Sequence, residues 1–230
     1  MPISVRAAYA SRMSQPSGPR PTASPSLTER RKAATQLDIA RAAAELFAEK
    51  GPDDTTAEEI AGRAGVALRT FYRYFRSKQD AVGPLLSSGG DRWRALLAEA
   101  GPGAGLAQAL ESAAVASLST PDDVANEGMR WTRGLLRAAR HDPALRAVWY
   151  RVNQESEEKL QPVVARLAGP DADPLEVRLV AAAATDAIRV AFETWATTDA
   201  ETLGEDSPAR LVVRCLRELT GGLRLVRNGR

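Results

Sequence analysis

The sequence predicts an all-α protein of about nine helices, and three features of the 230-residue chain carry this prediction. Apolar residues recur at helical spacing, and no segment alternates apolar with polar residues as a half-buried strand would. Turn-rich dividers such as Gly101-Pro102-Gly103 and His141-Asp142-Pro143 separate the periodic segments. The pair Thr56 and Glu59 forms a capping box, which marks a helix start.

A first helix is predicted to end at Gly51, with Pro52 beyond it. Ahead of that glycine, one apolar face repeats at intervals of three and four residues, the spacing of a helix that packs against a core. The face consists of Ile39, Ala42, Ala43, Leu46 and Phe47.

The segment from Thr56 to Phe75 is predicted to form a short helix, a turn at Gly65 and a second short helix. Ile60, Ala61 and Ala64 give the first of these an apolar face. On the second, Phe71 and Phe75 lie on one stripe, together with Val66 and Thr70. The residues that point away from this stripe are Leu68, Arg69, Tyr72, Arg73 and, more obliquely, Tyr74. Two crossed helices with such an outward surface fit the major groove of DNA.

Ser77 and Asp80 resemble a second cap and place Lys78 at the opening of the next helix, where lysine and helix amides would meet a phosphate. That helix is predicted near Lys78 to Ala100, with a possible break around Gly83-Pro84 and Ser87 to Gly90. The remaining helices are predicted at Leu106 to Ser119, Pro121 to Arg140, Pro143 to Ala168, Pro174 to Thr197 and Pro208 to Leu219.

Residues 1–27 are predicted to be a disordered tail, because prolines and serines are frequent and apolar residues are few. A second interpretation remains open, in which arginines of this region form an arm that enters a DNA minor groove. Those arginines are Arg6, Arg12, Arg20, Arg30 and Arg31. Residues 28–80 then form a first domain, and residues 81–230 form a second.

The helix from Pro174 to Thr197 is apolar on two sides, so it must be covered on two sides. Its own domain covers the face that begins with Val177 and Val180. A second copy of the chain is predicted to cover the other face, together with the last helix, so that a homodimer forms. The predicted interface comprises Leu175, Leu179, Ala182, Ala183, Val190, Val212, Leu216 and Leu219. The alternative is a monomer in which this helix is the central buried helix of its own domain.

The composition disfavours disulfide-bonded, membrane-spanning, secreted, metal-binding and enzymatic proteins. One cysteine, Cys215, permits no internal disulfide, and no run of roughly 18 apolar residues predicts a membrane span or a signal peptide. A cytoplasmic location is therefore expected. The single histidine, His141, lies between predicted helices, and no cysteine or histidine cluster has metal-ligand spacing. The chain is predicted not to be an enzyme and to need no cofactor or metal.

The stretch from about Thr28 to Leu86 closely resembles the DNA-binding domain of TetR family transcriptional regulators. The landmarks stand at the family's spacing: Leu46-Phe47, Gly51, Thr55-Thr56, Ile60-Ala61, Ala64-Gly65-Val66, Thr70 to Phe75 and Lys78. One departure is Ala67, where the family usually has Ser or Thr capping the recognition helix. The resemblance implies a three-helix domain with a helix-turn-helix, followed by a larger helical domain for ligand binding and dimerisation.

The resemblance also implies roles for individual residues. The residues expected to face base edges are Leu68, Arg69, Thr70 and Arg73, and those expected to contact phosphates are Thr56, Tyr72, Tyr74 and Lys78. The effector pocket is expected among large or polar residues of the middle helices: Trp93, Leu97, Trp131, Leu135, Trp149, Asn153, Thr185, Arg189 and Phe192.

Together these features predict a homodimeric repressor that binds a palindromic operator in double-stranded DNA and is released by a small-molecule effector. Two alternatives remain open. One is a DNA-binding activator or a ligand-independent regulator. The other is a helical protein-interaction module that has lost DNA binding, which Ala67 alone favours.

Overall fold

The computed structural model describes residues 26–101, 105–119 and 123–227, which form ten α-helices, one 3-10 turn and no strand. The all-α prediction is confirmed. The amino-terminal helices are α1 (Leu27–Lys50), α2 (Ala57–Arg63) and α3 (Leu68–Tyr74). The 3-10 turn Asp80–Val82 leads into α4 (Gly83–Ala98), α5 (Leu106–Leu118), α6 (Asp123–Ala139) and α7 (Pro143–Ala168). The chain continues through α8 (Pro174–Ala196), α9 (Pro208–Thr220) and a short α10 (Arg224–Arg227).

Local signals determine where the first helices begin and end. The Ser26 hydroxyl caps α1, and Gly51 ends that helix at a φ of 84°, which favours glycine. The predicted capping box of α2 is confirmed, because the Thr56 hydroxyl accepts a bond from the Glu59 amide at 3.2 Å and the Glu59 carboxylate accepts one from the Thr56 amide at 2.9 Å. Gly65 turns the chain into α3 at a φ of 67°.

The predicted break within Ser87–Gly90 is wrong, because α4 continues through these residues. Burial explains the difference. Leu85, Leu86, Trp93 and Leu97 are buried on both sides of the two glycines. Their packing outweighs the cost of glycine in a helix, about 1 kcal/mol per residue. The other predicted irregularity, at Gly83-Pro84, coincides with the passage from the 3-10 turn to α4. Of the predicted tail, residues 1–25 lie outside the described part of the chain.

Helices α1 to α3 share a small core. Ile39 and Phe47 of α1, Ile60 of α2, and Phe71 and Phe75 at α3 are all buried, as their spacing predicts. The face predicted for α1 is confirmed in full, since Ala42, Ala43 and Leu46 are buried as well. The same helix also packs against α4 and α6, so it joins this core to the larger helical body.

Helix α8 lies at the centre of the larger body, where it packs against α6, α7 and α9. Its inner face is buried, including Val180, Ala181 and Trp195. The other apolar face is left open to solvent among the described residues, since Leu175 is 63%, Leu179 42% and Val190 38% exposed. The two-sided helix is therefore covered on one side only within a single chain.

Two residues of the predicted dimer interface need correction. Val212 and Leu216 of α9 are fully buried in the chain's own core, since they lie on the stripe of α9 that packs inward. They offer no surface to a second copy. On the same helix, Leu219 is exposed, and Leu211 and Cys215 are partly exposed.

Arginines of α6 hold the carboxyl end of α8 in place. The Arg133 guanidinium lies over the Trp195 ring, with 3.8 Å between its Cζ and the ring centroid, and burial lowers its pKa. Arg137 donates to the Ala196 and Thr198 carbonyl oxygens, each at 2.7 Å. These bonds satisfy backbone carbonyls that a helix end leaves without partners.

The N-cap of helix α3 is Ala67, which forms no side-chain cap and lies in extended backbone with φ −69° and ψ 147°. We expect Ala67→Ser to raise the free energy of unfolding by about 1 kcal/mol, because a serine at this position accepts a bond from an unpaired helix amide. Chemical denaturation of both proteins measures the change. Ala67→Val is the control, since valine cannot cap, and an equal gain for valine would contradict the capping argument.

Candidate nucleic-acid interface and interior cavity

The outer surface of α3 follows from the burial of its inner stripe. Phe71 is fully buried and Phe75 is nearly so, which fixes the rotation of α3 against α1 and α2. As a result Arg69, Tyr72 and Arg73 are exposed. The remaining predicted contact residues of α3, Leu68, Thr70 and Tyr74, are partly exposed. An exposed short helix that carries arginines and tyrosine hydroxyls suits base and phosphate contacts in a major groove.

The two arginines predicted to read bases differ in their surroundings. The Arg73 guanidinium lies 4.9 Å from the Tyr74 ring centroid, and its Nη2 donates to the Tyr74 hydroxyl at 3.4 Å. This stacking orients Arg73 along α3. Arg69 forms no ion pair with any described residue. Its guanidinium donors are therefore available to a ligand such as a base edge.

Two residues predicted to contact phosphates already have partners in the protein. The Thr56 hydroxyl belongs to the cap of α2. The Lys78 ammonium donates to the backbone oxygens of Asp53 at 3.1 Å and Thr55 at 2.9 Å, so it ties the α1–α2 loop to the segment before α4. An ammonium has three donors, which leaves one for a phosphate. The contact roles of all eight predicted residues stay predictions.

Ion pairs between α1 and α2 hold the helix-turn-helix together. Lys50 Nζ lies 2.6 Å from Glu59 Oε1, and this bond, together with those from the Thr56 amide and hydroxyl, lowers the pKa of Glu59 to about 2. The Arg63 guanidinium donates to both carboxylate oxygens of Glu49, at 2.7 and 2.9 Å, and this lowers the pKa of Glu49. Because solvent screens these exposed pairs, each adds little to the free energy of unfolding. Their main effect is to fix the orientation of α2 against α1. No local pattern in the sequence predicts pairs that join two helices.

A cavity of about 410 Å³ lies between α4, α6, α7 and α8. Six of the residues predicted for an effector pocket line it: Trp93, Trp131, Trp149, Asn153, Thr185 and Phe192. The structure does not bring the other three to this cavity. Leu97 and Leu135 are buried in the core away from it. Arg189 is engaged elsewhere, at 2.9 Å from Asp186 and 3.1 Å from Glu193.

Among the polar residues of the cavity, Arg94 was not predicted from the sequence. Arg94 is only 7% exposed, and it bonds to the Ser156 hydroxyl and to Asp91. The Thr185 hydroxyl is buried and has no hydrogen-bond partner in the protein. Gly90 leaves room for the first contact, because an added Cβ would lie 3.2 Å from Arg94 Nη1 and 3.3 Å from Ser156 Oγ. The packing of α4 against α7 creates this arrangement, and no sequence spacing reveals it.

Helix α7 connects the cavity with the segment that follows α3. Its N-cap, Asp142, accepts a bond from Gln79 Nε2 at 3.1 Å. Two and a half turns further on, Arg151 Nη2 lies 2.7 Å from Asp80 Oδ1. Trp149 and Asn153 of the same helix line the cavity. Helix α7 therefore contacts both the cavity and the segment around the 3-10 turn.

In the described ranges, no helix has both the length and the apolar character needed to cross a membrane. Nor does that part of the chain contain a group of three or more His, Cys, Asp or Glu side chains placed to hold a metal ion.

The crossed pair α2 and α3, with a buried aromatic stripe and a basic outer surface, defines a helix-turn-helix protein. Residues 39–82 match the bacterial regulatory proteins of the tetR family, and residues 104–224 match the MftR C-terminal domain. The HTH-type transcriptional regulator TcmR of Streptomyces glaucescens is 31% identical over 185 residues, which cover 78% of this chain and 82% of that protein. The chain belongs to the TetR family of DNA-binding transcriptional regulators.

Solved structures share the fold at low sequence identity. GusR of Salmonella enterica superimposes with a TM-score of 0.52 at 18% identity, over 83% of this chain and 96% of that one. A TetR-family regulator from Rhodococcus sp. gives a TM-score of 0.51 at 18% identity, over 81% and 98%. The predicted family resemblance is thus confirmed, and membership in a family of regulators places the chain outside the enzymes.

The ion pair between Lys50 and Glu59 predicts a pH effect. Because the pKa of Glu59 in the folded protein is about 2, below its ordinary 4.5, the pair stabilises the fold fully above pH 4.5, and this stabilisation is lost as the pH falls towards 2. In Lys50→Met we expect the pKa of Glu59 to rise, while the Thr56 cap keeps it below 4.5. An NMR titration of the Glu59 carboxyl carbon measures it. The control is Lys32→Met, at an exposed lysine of α1; an equal rise there would show a general charge effect.

Proposed function

We propose that this protein is a homodimeric repressor that acts in the cytoplasm, binds a palindromic operator and is released by a small-molecule effector. Residues 28–80 contact DNA, and residues 81–230 bind the effector and form the dimer. The observation that carries the proposal is the link through α7, which lines the cavity and bonds to the segment ahead of α4 through Asp142 and Arg151.

The DNA contacts follow from the orientation of α3. Leu68, Arg69, Thr70 and Arg73 face the base edges of the major groove. Phosphates on either side are bound by Tyr72 and Tyr74, by Thr56 at the start of α2, and by the remaining donor of Lys78. The exposed arginines supply bidentate contacts to guanine, which carry sequence information that phosphate contacts lack.

The dimer forms through the uncovered face of α8 and the exposed part of α9. Leu175, Leu179 and Val190 remain exposed, and Ala182 and Ala183 between them are small enough for close helix packing. Leu219 extends this surface onto α9. Burying such a patch in a symmetric four-helix contact removes apolar area from water. The two DNA-binding domains of the dimer (residues 28–80 of each chain, here called the heads) are held in this way and read half-sites roughly 34 Å apart. The operator is therefore a palindrome.

Effector release is a coupling between the cavity and the heads. The cavity is lined by residues of α4 and α7, and both helices hold the 3-10 turn that follows the helix-turn-helix. A ligand that binds better when α4 and α7 are further apart stabilises a head position that no longer matches both half-sites. Only this difference in affinity between the two conformations drives release.

A footprint on the DNA that flanks the gene tests the operator and the dimer together. We expect the wild type to protect a symmetric site, and addition of cell-extract fractions containing the effector to abolish protection. Leu179→Arg places a charge on the uncovered α8 face, so we expect a monomer by sedimentation at micromolar concentration and loss of the footprint. Val115→Arg is the matched control, since Val115 is equally exposed on α5.

The outcomes separate the alternatives. A dimeric Leu179→Arg variant, or equal losses for both variants, would rule out the α8 interface. An asymmetric footprint would rule out the palindrome. Protection that no extract fraction changes indicates a ligand-independent regulator, and absence of any protected site indicates an interaction module without DNA binding.

The base-reading role of α3 predicts different effects for two exposed residues. Arg73→Ala is expected to cost about 1 to 3 kcal/mol of operator binding and to relax preference at one base pair. Tyr72→Phe removes a hydroxyl that contacts a phosphate, so binding should weaken by the same factor on operator and random DNA. Equilibrium binding to both DNAs measures each change. Equal losses on the two DNAs for Arg73→Ala would contradict base reading. Lys78→Ala is a poorer test, since it also breaks the bonds to Asp53 and Thr55.

A further inference from the structure

We propose that the cavity is selective for an amphipathic organic anion, a flat aromatic body that carries one acidic oxygen, and that Arg94 and Thr185 bind its polar end. This inference rests on the proposed function as a ligand-responsive regulator and specifies the chemical class of the ligand.

The walls of the cavity favour a flat, apolar body. Four aromatic residues line it, each from a different helix: Trp93 of α4, Trp131 of α6, Trp149 of α7 and Phe192 of α8. Aromatic side chains pack best against other ring systems, edge to face or offset. A volume of about 410 Å³ lies in the range of pockets that enclose a single small molecule.

The Thr185 hydroxyl indicates where the ligand makes a hydrogen bond. Several other threonines in the helices bond to the carbonyl four residues earlier, as Thr132 does to Gly128 at 2.9 Å and Thr220 to Leu216 at 2.7 Å. Thr185 is 95% buried yet lacks this bond and any other within the described protein. A buried hydroxyl without a partner destabilises the fold unless something else binds it. Because Thr185 lines the cavity, the ligand is the partner in reach.

The charge of the ligand follows from Arg94. Arg94 is 93% buried, and burying a charge destabilises the fold unless several hydrogen bonds satisfy it. Within the protein its guanidinium donates to the Ser156 hydroxyl and to Asp91, whose side chain is itself 53% exposed. A guanidinium carries five N–H donors, more than these two partners use. An anionic oxygen inside the cavity therefore adds a charged hydrogen bond that a neutral ligand cannot form.

Most of the other charged residues that line the cavity are basic. Arg41, Arg92 and Lys159 line it together with Arg94, against one acidic residue, Glu155. In a partly enclosed space this excess of positive charge attracts an anion and disfavours a cationic ligand. Aromatic walls, an unpaired hydroxyl and a basic rim thus require an aromatic body with an acidic group at one end.

A matched pair of fluorescent probes tests this selectivity. Anilinonaphthalene sulfonate carries an aromatic body and an anionic group, and phenylnaphthylamine has the same ring system without the charge. Both probes are titrated into the full-length protein, followed by probe emission and by quenching of tryptophan emission. We expect one sulfonate probe per chain and binding roughly tenfold or more tighter than the neutral probe, the range for one charged hydrogen bond.

Substitutions assign the effect to the polar end. Arg94→Met should weaken binding of the sulfonate by roughly tenfold to a hundredfold and leave the neutral probe unchanged. Arg94→Lys should restore part of the loss, because the charge remains. Thr185→Val should also weaken sulfonate binding while the melting temperature stays level or rises, since the hydroxyl bonds to nothing in the protein. The control is Arg189→Met, a half-buried arginine of α8 that pairs with Asp186 and Glu193 outside the cavity.

Equal affinity for the two probes, or a sulfonate affinity that Arg94→Met and Thr185→Val leave unchanged, would overturn the inference. An equal loss in Arg189→Met would do the same, because binding would then depend on general charge. Measurement of operator binding distinguishes failure of this inference from failure of the proposed function. If the sulfonate binds through Arg94 but no ligand releases the operator, ligand selectivity stands and effector release fails. If extract fractions release the operator while the probes show no preference for the anion, release stands and selectivity fails.

Discussion

The packing of α4 against α7 is the constraint on which the rest of this structure depends. It encloses the cavity on two sides, and it brings Arg94 of one helix to Ser156 of the other. Gly90 allows the close approach, because any side chain there would press on both groups. The same pair of helices holds the 3-10 turn beyond the helix-turn-helix, through chain continuity in α4 and through Arg151 and Asp142 in α7. The cavity and the position of the helix-turn-helix are consequently parts of one packing arrangement.

The amino-terminal core is too small to be rigid by burial alone. Small cores bury a low fraction of their surface, so they depend on additional restraints. Here a capping box at Thr56, the Lys78 bonds to the α1–α2 loop and the pairs Lys50–Glu59 and Arg63–Glu49 provide them. The length of α1 adds another, since its later turns belong to this core while the helix also packs on α4 and α6. Restraints of this kind keep α3 at a defined angle, which base reading requires.

Short-range patterns in the sequence predicted some parts of the structure and missed others. Phe71, Phe75 and the cap at Thr56 were predicted correctly, because helical spacing and caps depend on residues at most four positions apart. The break at Ser87–Gly90 was predicted wrongly, because local propensity disfavours two serines followed by two glycines and says nothing of the buried residues on either side. Val212 and Leu216 were placed on an outer surface because apolar spacing identifies a face of a helix but does not reveal which neighbour covers it.

By itself the sequence determined the all-α architecture, the family, the start of α2 and the set of residues exposed on α3, since these follow from short-range patterns. Only the tertiary structure decided that Arg94 lines the cavity, that Arg189 does not, and that Val212 and Leu216 pack inward. Those outcomes depend on contacts between helices such as Arg94 with Ser156 and Gln79 with Asp142, which are more than sixty positions apart. At that separation the rotation and spacing of whole helices decide which side chains meet, and no local pattern encodes them.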